Sequence, residues 1–284
     1  MSGVSRIIQT REGKLEYAVA GQGPPLLMIH GTGGGYDQGL SFAEGIRQRG
    51  HRIIAPSRFG YLRSDFPPDP SSEKQADVLV ELLDHLEIGK LAVAGGSAGA
   101  LSAVQFALRH PDRCAGLVLL VPAANVSGRD PVEMTALQRS LVETISGSDF
   151  FYWAALNTIP DRLVDTLLAT DPALLLKVAP DERRRAYRIL EELMPISERS
   201  RGMMNDAKLA GRPARVDYSK IAVPTLIISV EDDRFGTAAT ARHIAGLVPG
   251  AKLTIYPTGG HIWLDHNGAM ADEVGSFVDE LRSA

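Results

Sequence analysis

Leu91-Ala92-Val93-Ala94-Gly95-Gly96-Ser97-Ala98-Gly99 runs from a short apolar stretch into a serine flanked by small residues, and a helical pattern starts at Ala98. This is the pattern of a strand, a sharp turn and a helix, with a serine at the apex. A serine hydroxyl is a poor nucleophile unless the backbone holds it exposed beside a base, and such a turn does so. The turn forces unusual dihedrals on the serine, and only Gly or Ala beside it lets strand and helix approach closely. The pentapeptide alone is a weak signal, so its surroundings decide the fold.

Outward from this turn, short β-rich runs alternate with longer amphipathic ones. Residues 26–29, 52–55, 91–94 and 117–121 are nearly continuous in apolar side chains, as expected of strands covered on both faces. Val78, Leu79, Leu82, Leu83 and Leu86 form one helical stripe, and Ala100, Leu101, Val104 and Leu108 another. The alternation predicts an α/β fold with a mostly parallel central sheet flanked by helices. Residues 6–10 and 14–19, around Glu12-Gly13, predict an antiparallel hairpin at the sheet edge. The pattern breaks near Pro122 and resumes near Val223. Between them, 131–208 show helical signals only, punctuated by Pro131, Pro160, Pro172, Pro180 and Pro195, with helix starts around Asp161, Asp171 and Asp181. A strand at 225–230, a helix at 237–247, a strand at 253–256 and a last helix follow. That helix carries Met270, Val274, Phe277, Val278 and Leu281 on one face. Residues 1–123 and 216–284 therefore form the α/β core, and 124–215 an inserted all-helical unit.

Composition narrows the partners. With 284 residues, 44% of them hydrophobic, the chain buries a large core. Its net charge of −4 comes without a long single-sign block; Arg183-Arg184-Arg185 lies among Asp181, Glu182, Glu191 and Glu192 and reads as an ion-paired helix face. This balance points away from nucleic acid and membrane and toward a small-molecule substrate. Cys114, the single cysteine, opens an apolar strand pattern and reads as a buried, inert thiol. No Cys/His spacing suggests zinc, no metal or cofactor is implied, and no run of 18 apolar residues occurs. The first six residues lack the apolar core of a signal peptide, so a cytoplasmic monomer or homodimer is expected.

In an open α/β sheet, chemistry collects beyond the carboxyl ends of the strands. The polar residues there are His30-Gly31-Thr32-Gly33-Gly34-Gly35, Ser57-Arg58, Ser97, Asn125, Asp232-Asp233 and Gly259-Gly260-His261. A serine, an acid and a histidine thus stand at strand ends, in that order.

At these residues the chain resembles the α/β-hydrolase fold superfamily over nearly its whole length. Gly95–Gly99 matches the family's nucleophile elbow, and His30-Gly31 with Thr32-Gly33-Gly34-Gly35 resembles its oxyanion-hole loop. Ser57-Arg58-Phe59-Gly60-Tyr61-Leu62-Arg63-Ser64 is similar to the loop after the next strand. Val230-Glu231-Asp232-Asp233-Arg234-Phe235 resembles the acid loop, Gly259-Gly260-His261 the histidine loop, and the helical insertion the family's cap.

The resemblance implies roles. Ser97 is the expected nucleophile and His261 the base that takes and returns its proton, an imidazole being suited to that exchange near neutral pH. Asp232 and Asp233 both stand where the acid belongs; aligning Val230 with the family's glycine selects Asp233. The backbone N–H groups of Ala98 and Thr32 are the expected oxyanion donors, with Gly33 as the fallback. His30 is expected to brace this loop beside the substrate, and His266 to start a helix. Phe151, Trp153 and Trp263 are candidate substrate contacts, although the cap aromatics read equally as residues that pack the cap onto the sheet. The implied activity is a cofactor-independent serine hydrolase of a small ester, lactone or thioester, carboxylesterase-like, working through an acyl-enzyme. Two alternatives stand beside it. One is a carbon–carbon bond hydrolase of a ring-cleavage diketone, a subgroup that Asp233-Arg234-Phe235 and Trp263 resemble; the other is a non-catalytic small-molecule receptor on the same fold.

Overall fold

The computed structural model describes residues 4–124, 147–211 and 213–283; Asn125 and Pro131, singled out above, lie outside them. The chain opens with the hairpin β1 (Arg6–Thr10) and β2 (Gly13–Ala20), followed by β3 (Pro25–Ile29). Helices α1 (Tyr36–Phe42) and α2 (Glu44–Gln48) lead to β4 (Arg52–Pro56), and α3 (Ser72–His85) to β5 (Leu91–Gly96). Next come α4 (Gly99–Arg109) and β6 (Cys114–Leu120). The cap contributes α5 (Asp149–Thr158), α6 (Pro160–Leu167), α7 (Pro180–Glu191) and α8 (Ser200–Gly211). The core resumes with β7 (Thr225–Val230), α9 (Thr237–Leu247), β8 (Lys252–Tyr256) and α10 (Asn267–Ser283).

These strands form one eight-stranded sheet in the order β1-β2-β4-β3-β5-β6-β7-β8. Only the β1–β2 and β2–β4 pairings are antiparallel. The chain winds outward from β3 to β4 and then returns to place β5 on the other side of β3. Connections leaving β3 and β5 diverge at such a reversal and leave a crevice between them. Pairing of Ile29 with Gly95 sets the loop after β3 directly beside Ser97.

Alternation along the strands feeds two apolar layers. Leu27, Ile54 and Leu119 point to one face and meet Leu79, Leu82 and Val104 of α3 and α4. Met28, Ile53, Val118 and Leu120 point to the other and meet Met270, Val274, Phe277 and Val278 of α10. Cys114 is buried at the head of β6, and burial pushes its thiol up to about 12.

A third apolar cluster belongs to the cap, where Tyr152, Leu163, Val164, Leu190 and Ile196 gather around Ile262 and Leu264 from the core. Pro160 and Pro180 open α6 and α7, where a proline's missing N–H costs no helical hydrogen bond. Asp171 caps the turn between them by accepting the Ala173 N–H at 2.9 Å. The arginine run on α7 is ion-paired, Arg184 with Asp181 and Arg185 with Glu182. Among the described residues, no helix is long and apolar enough to cross a membrane.

Candidate active site

Ser97 sits at the apex of the turn between β5 and α4 with φ +50°, a left-handed conformation that L side chains adopt only under constraint. The constraint is visible on both sides. Its N–H donates to Leu120 O at 2.9 Å, and its carbonyl accepts from Ala100 N–H at 3.0 Å and Ala123 N–H at 3.1 Å. A Cβ on Gly99 would lie 2.5 Å from the carbonyl oxygens of Ile29 and His30, and one on Gly95 would lie 2.6 Å from Gly99 O. Both positions therefore require glycine, a tighter demand than the Gly or Ala that the sequence pattern implied.

The histidine arrives on a loop with equally special backbone. Gly259 and Gly260 have φ +134° and +63°, and a Cβ on Gly260 would strike the Thr170 hydroxyl at 2.4 Å. Gly260 N–H donates to Asp232 Oδ1 at 2.8 Å, so this first acid ties down the loop. Asp233 instead meets the ring, with His261 Nδ1 2.8 Å from its Oδ2. His261 Nε2 lies 3.0 Å from Ser97 Oγ. An ionised carboxylate only accepts hydrogen bonds, so Nδ1 carries the proton and Nε2 is left to accept the serine hydroxyl. The edge of a Phe235–His261 ring pair, 4.9 Å between centroids, backs the imidazole.

Asp233 is itself held from several directions. Phe235 N–H donates to its Oδ1 at 2.8 Å, and the Thr237 hydroxyl donates to Oδ2. Ser229, in turn, lies 2.9 Å from the Thr237 hydroxyl. Burial pushes the Asp233 carboxyl upward, but the electrostatic pull of the adjacent His261 imidazole and these hydrogen bonds outweigh it and hold the group below the usual carboxylate range. The arrangement therefore keeps a buried negative charge beside the imidazole.

Beside the serine, the loop after β3 comes so close that a Cβ on Gly31 would lie 3.1 Å from Ser97 Cβ. Among the described residues, the N–H groups of Thr32 and Ala98 donate to no protein acceptor, as groups awaiting a ligand oxygen would. Gly33 departs from the expectation. Its N–H already donates to Tyr61 Oη at 3.2 Å, so it is no fallback oxyanion donor.

The alpha/beta hydrolase fold family model matches residues 24–267. The chain belongs to the α/β-hydrolase fold family. Among curated relatives, it is 28% identical over 282 residues to the uncharacterized hydrolase YcgS of Bacillus subtilis (strain 168), covering 94% of each chain. It is also 28% identical over 276 residues to the 2-hydroxymuconate semialdehyde hydrolase of Pseudomonas sp. (strain CF600), covering 93% of this chain and 90% of that one. Among solved structures, an α/β-hydrolase fold protein from Nakamurella multipartita superposes with a TM-score of 0.78 at 23% identity, covering 97% and 99% of the two chains.

Not every residue singled out for this α/β-hydrolase site reaches it. His30 is fully buried beneath the loop, bonded to Gly31 O and the Arg58 N–H, so it braces the backbone and has no exposed surface to offer a ligand. Trp263 is a correction as well: it is 3% exposed and packs edge-on against Phe42, 5.3 Å between centroids, in the layer with Met270 and Val274. Its φ of +44° turns the side chain inward while Ile262 and Leu264 enter the cap cluster. Phe151 and Trp153 are more than half exposed on α5, with Phe150 against both rings; no hydrogen bond or ring contact joins them to the Ser97, His261 and Asp233 side chains. Tyr152 between them is the residue that packs the cap, its hydroxyl donating to Leu190 O at 2.7 Å. His266 stacks on Tyr256, centroids 4.1 Å apart, and stays away from the serine. Thr237 was missed, and Arg58, named at its strand end, was given no role. Thr237 was legible as a hydroxyl four residues beyond Asp233, whereas the partner of Arg58, Asp206, lies 148 positions away with no local signal.

Proposed function

We propose that this chain is a serine-dependent hydrolase that cleaves a carbon–carbon bond in a ring-cleavage product, a conjugated 2-hydroxy-6-oxo-dienoate. The Ser97–His261–Asp233 relay supplies the nucleophile and its base. Attack by Ser97 Oγ on the ketone or aldehyde carbon places negative charge on the carbonyl oxygen, in front of the Thr32 and Ala98 N–H groups. Once the 2-hydroxyl proton has moved to C5, giving the 2,6-dioxo tautomer, collapse breaks the C5–C6 bond and its electron pair is delocalised through the C3–C4 double bond onto the 2-oxo group as a dienolate. His261 returns the serine's proton to that fragment, and water then releases the acyl group as a carboxylic acid. Water is the only co-reactant, and atoms balance as substrate plus water giving two acids.

The observation supporting carbon–carbon cleavage over simple ester hydrolysis is the relative named 2-hydroxymuconate semialdehyde hydrolase, matched along nine-tenths of both chains. Names of the same chemical kind recur among the other curated relatives. An ester, lactone or thioester would use the same three side chains, so the assay must compare substrates. The test follows the loss of colour of 2-hydroxy-6-oxo-dienoates beside a series of p-nitrophenyl esters and lactones. A kcat/KM for the dienoate at least about tenfold above the best ester is expected. Ser97→Ala should lower both by about a thousandfold or more. A best rate on esters, abolished by Ser97→Ala, would reassign the chain to ester hydrolysis. Equal slow turnover by wild type and variant on every substrate would leave only a receptor.

A further inference from the structure

One peptide unit carries both the Gly31 carbonyl and the Thr32 N–H, and the carbonyl side of it is gripped unusually hard. Gly31 O lies 2.7 Å from His30 Nδ1 and accepts from Arg58 Nη2 at 3.0 Å. His30 Nε2 accepts the backbone N–H of Arg58 at 2.9 Å, so Nδ1 carries the ring's proton and donates to Gly31 O. Burial, reinforced by the Arg58 charge, holds the His30 imidazole well below its ordinary value, in agreement with that neutral tautomer. Turning this peptide over would strand two buried donors and the oxygen they serve.

Arg58 is fixed in its turn by the cap. Its Nη1 and Nη2 donate to the two carboxylate oxygens of Asp206, on α8, at 2.6 Å each, with both side chains nearly devoid of exposure. Tyr61 closes the network by donating to Asp206 Oδ2 at 2.5 Å while accepting the Gly33 N–H. The fit is tight: a Cβ on Gly202 of α8 would lie 2.3 Å from the Tyr61 ring. Buried ion pairs are poor devices for stability alone, because desolvation offsets much of their attraction. Among the described residues Arg58 Nε is buried without a partner as well, which adds to that cost.

We propose that Arg58 is a positioning residue for the oxyanion hole: anchored by Asp206 of the cap, its guanidinium holds the Gly31–Thr32 peptide with the N–H directed at the Ser97 adduct. The seating of α8 and the readiness of the oxyanion donor are thereby set together. Two donors on the carbonyl also polarise the amide, which strengthens its N–H as a donor to a developing oxyanion. The inference rests on the serine-nucleophile reading above.

The test uses Arg58→Met, Arg58→Lys and Tyr61→Phe in the full chain, with competent sites counted by a labelled fluorophosphonate at Ser97. Per labelled site, Arg58→Met should lower kcat about 10–100-fold with KM within about twofold of wild type, a fraction of the effect of losing a donor outright. A trifluoromethyl ketone, which forms an oxyanion adduct with the serine, should bind more weakly by the same factor. The pH profile should keep its wild-type shape. Arg58→Lys should recover part of the loss, and Tyr61→Phe should lose about threefold to tenfold. An Arg58→Met chain that fails to fold leaves the decision to Tyr61→Phe and Arg58→Lys by the same two readouts. Wild-type kcat per labelled site, or unchanged ketone affinity, in the folded variants overturns the inference alone. A wild-type chain that takes no label and turns over nothing removes the serine-nucleophile reading, and this inference with it.

Discussion

The two aspartates at the end of β7 illustrate how much one position decides. Asp233 meets His261, whereas Asp232 accepts the Gly260 N–H. Asp233→Asn should lower kcat about 10⁴-fold, because an amide at that position favours the wrong imidazole tautomer. Asp232→Asn, keeping an oxygen for Gly260, should cost about tenfold or less; a p-nitrophenyl or dienoate assay of both variants checks the contrast. The Asp233 carboxyl is held below the usual range in the folded chain, so its contribution to stability is complete above about pH 4 and lost as pH falls through the folded value. Asp233→Asn should therefore flatten the acid side of the urea midpoint between about pH 5 and 2. The aspartate pair was legible because strand-end position and spacing select it. The inward turn of Trp263 was not, since a single left-handed residue reverses which side chain faces the core. Nor was the loss of Gly33, whose N–H is taken by Tyr61, 28 residues further on.

At the scale of elements, the strands and flanking helices were readable because β-type apolar runs and 3.6-residue stripes leave direct marks on sequence, as at 225–230 and in the Met270–Val274–Phe277 face of α10. The elbow tolerates no filling: Gly99→Ala drives a methyl into the backbone of β3 and should lower stability by about 2–3 kcal/mol in urea unfolding. The junction after α7 is readable only in three dimensions. Glu192 is half-buried there, with Oε2 unpartnered among the described residues and Oε1 accepting from Ser41 at 3.2 Å. Burial raises its carboxyl, with Asp37 adding to the rise, against the Ser41 hydrogen bond and the nearby Arg188 and Arg199. A raised carboxyl binds its proton more tightly in the folded chain, so its charge is a penalty that is absent below about pH 4 and grows as pH rises through the folded value. Glu192→Gln should accordingly raise the urea midpoint at pH 8 and leave it unchanged at pH 3.5.

For the whole molecule, the question is whether cap and core behave as one body. Ile262 and Leu264 belong to the cap cluster while Trp263, between them, belongs to the sheet layer. Arg199, 1% exposed, adds bonds to Gly34 O at 2.7 Å and to Asp37. So many shared contacts predict a single cooperative transition. The two tryptophans make this measurable, since Trp153 is 54% exposed on the cap and Trp263 is buried in the core. Fluorescence of Trp153→Phe and far-UV circular dichroism should give coincident urea curves; separated midpoints would mean that the cap melts on its own. Cap docking escaped sequence reading because its bonds, such as Arg58 to Asp206, join positions far apart in the chain. The sealed thiol of Cys114 has a practical corollary for following that docking. With its proton held to about 12 and the strand closed over it, the native chain offers maleimide reagents no competing background. A Leu176→Cys chain, altered where the cap surface is 78% exposed, would take one dye at one known place, ready for distance measurements during turnover.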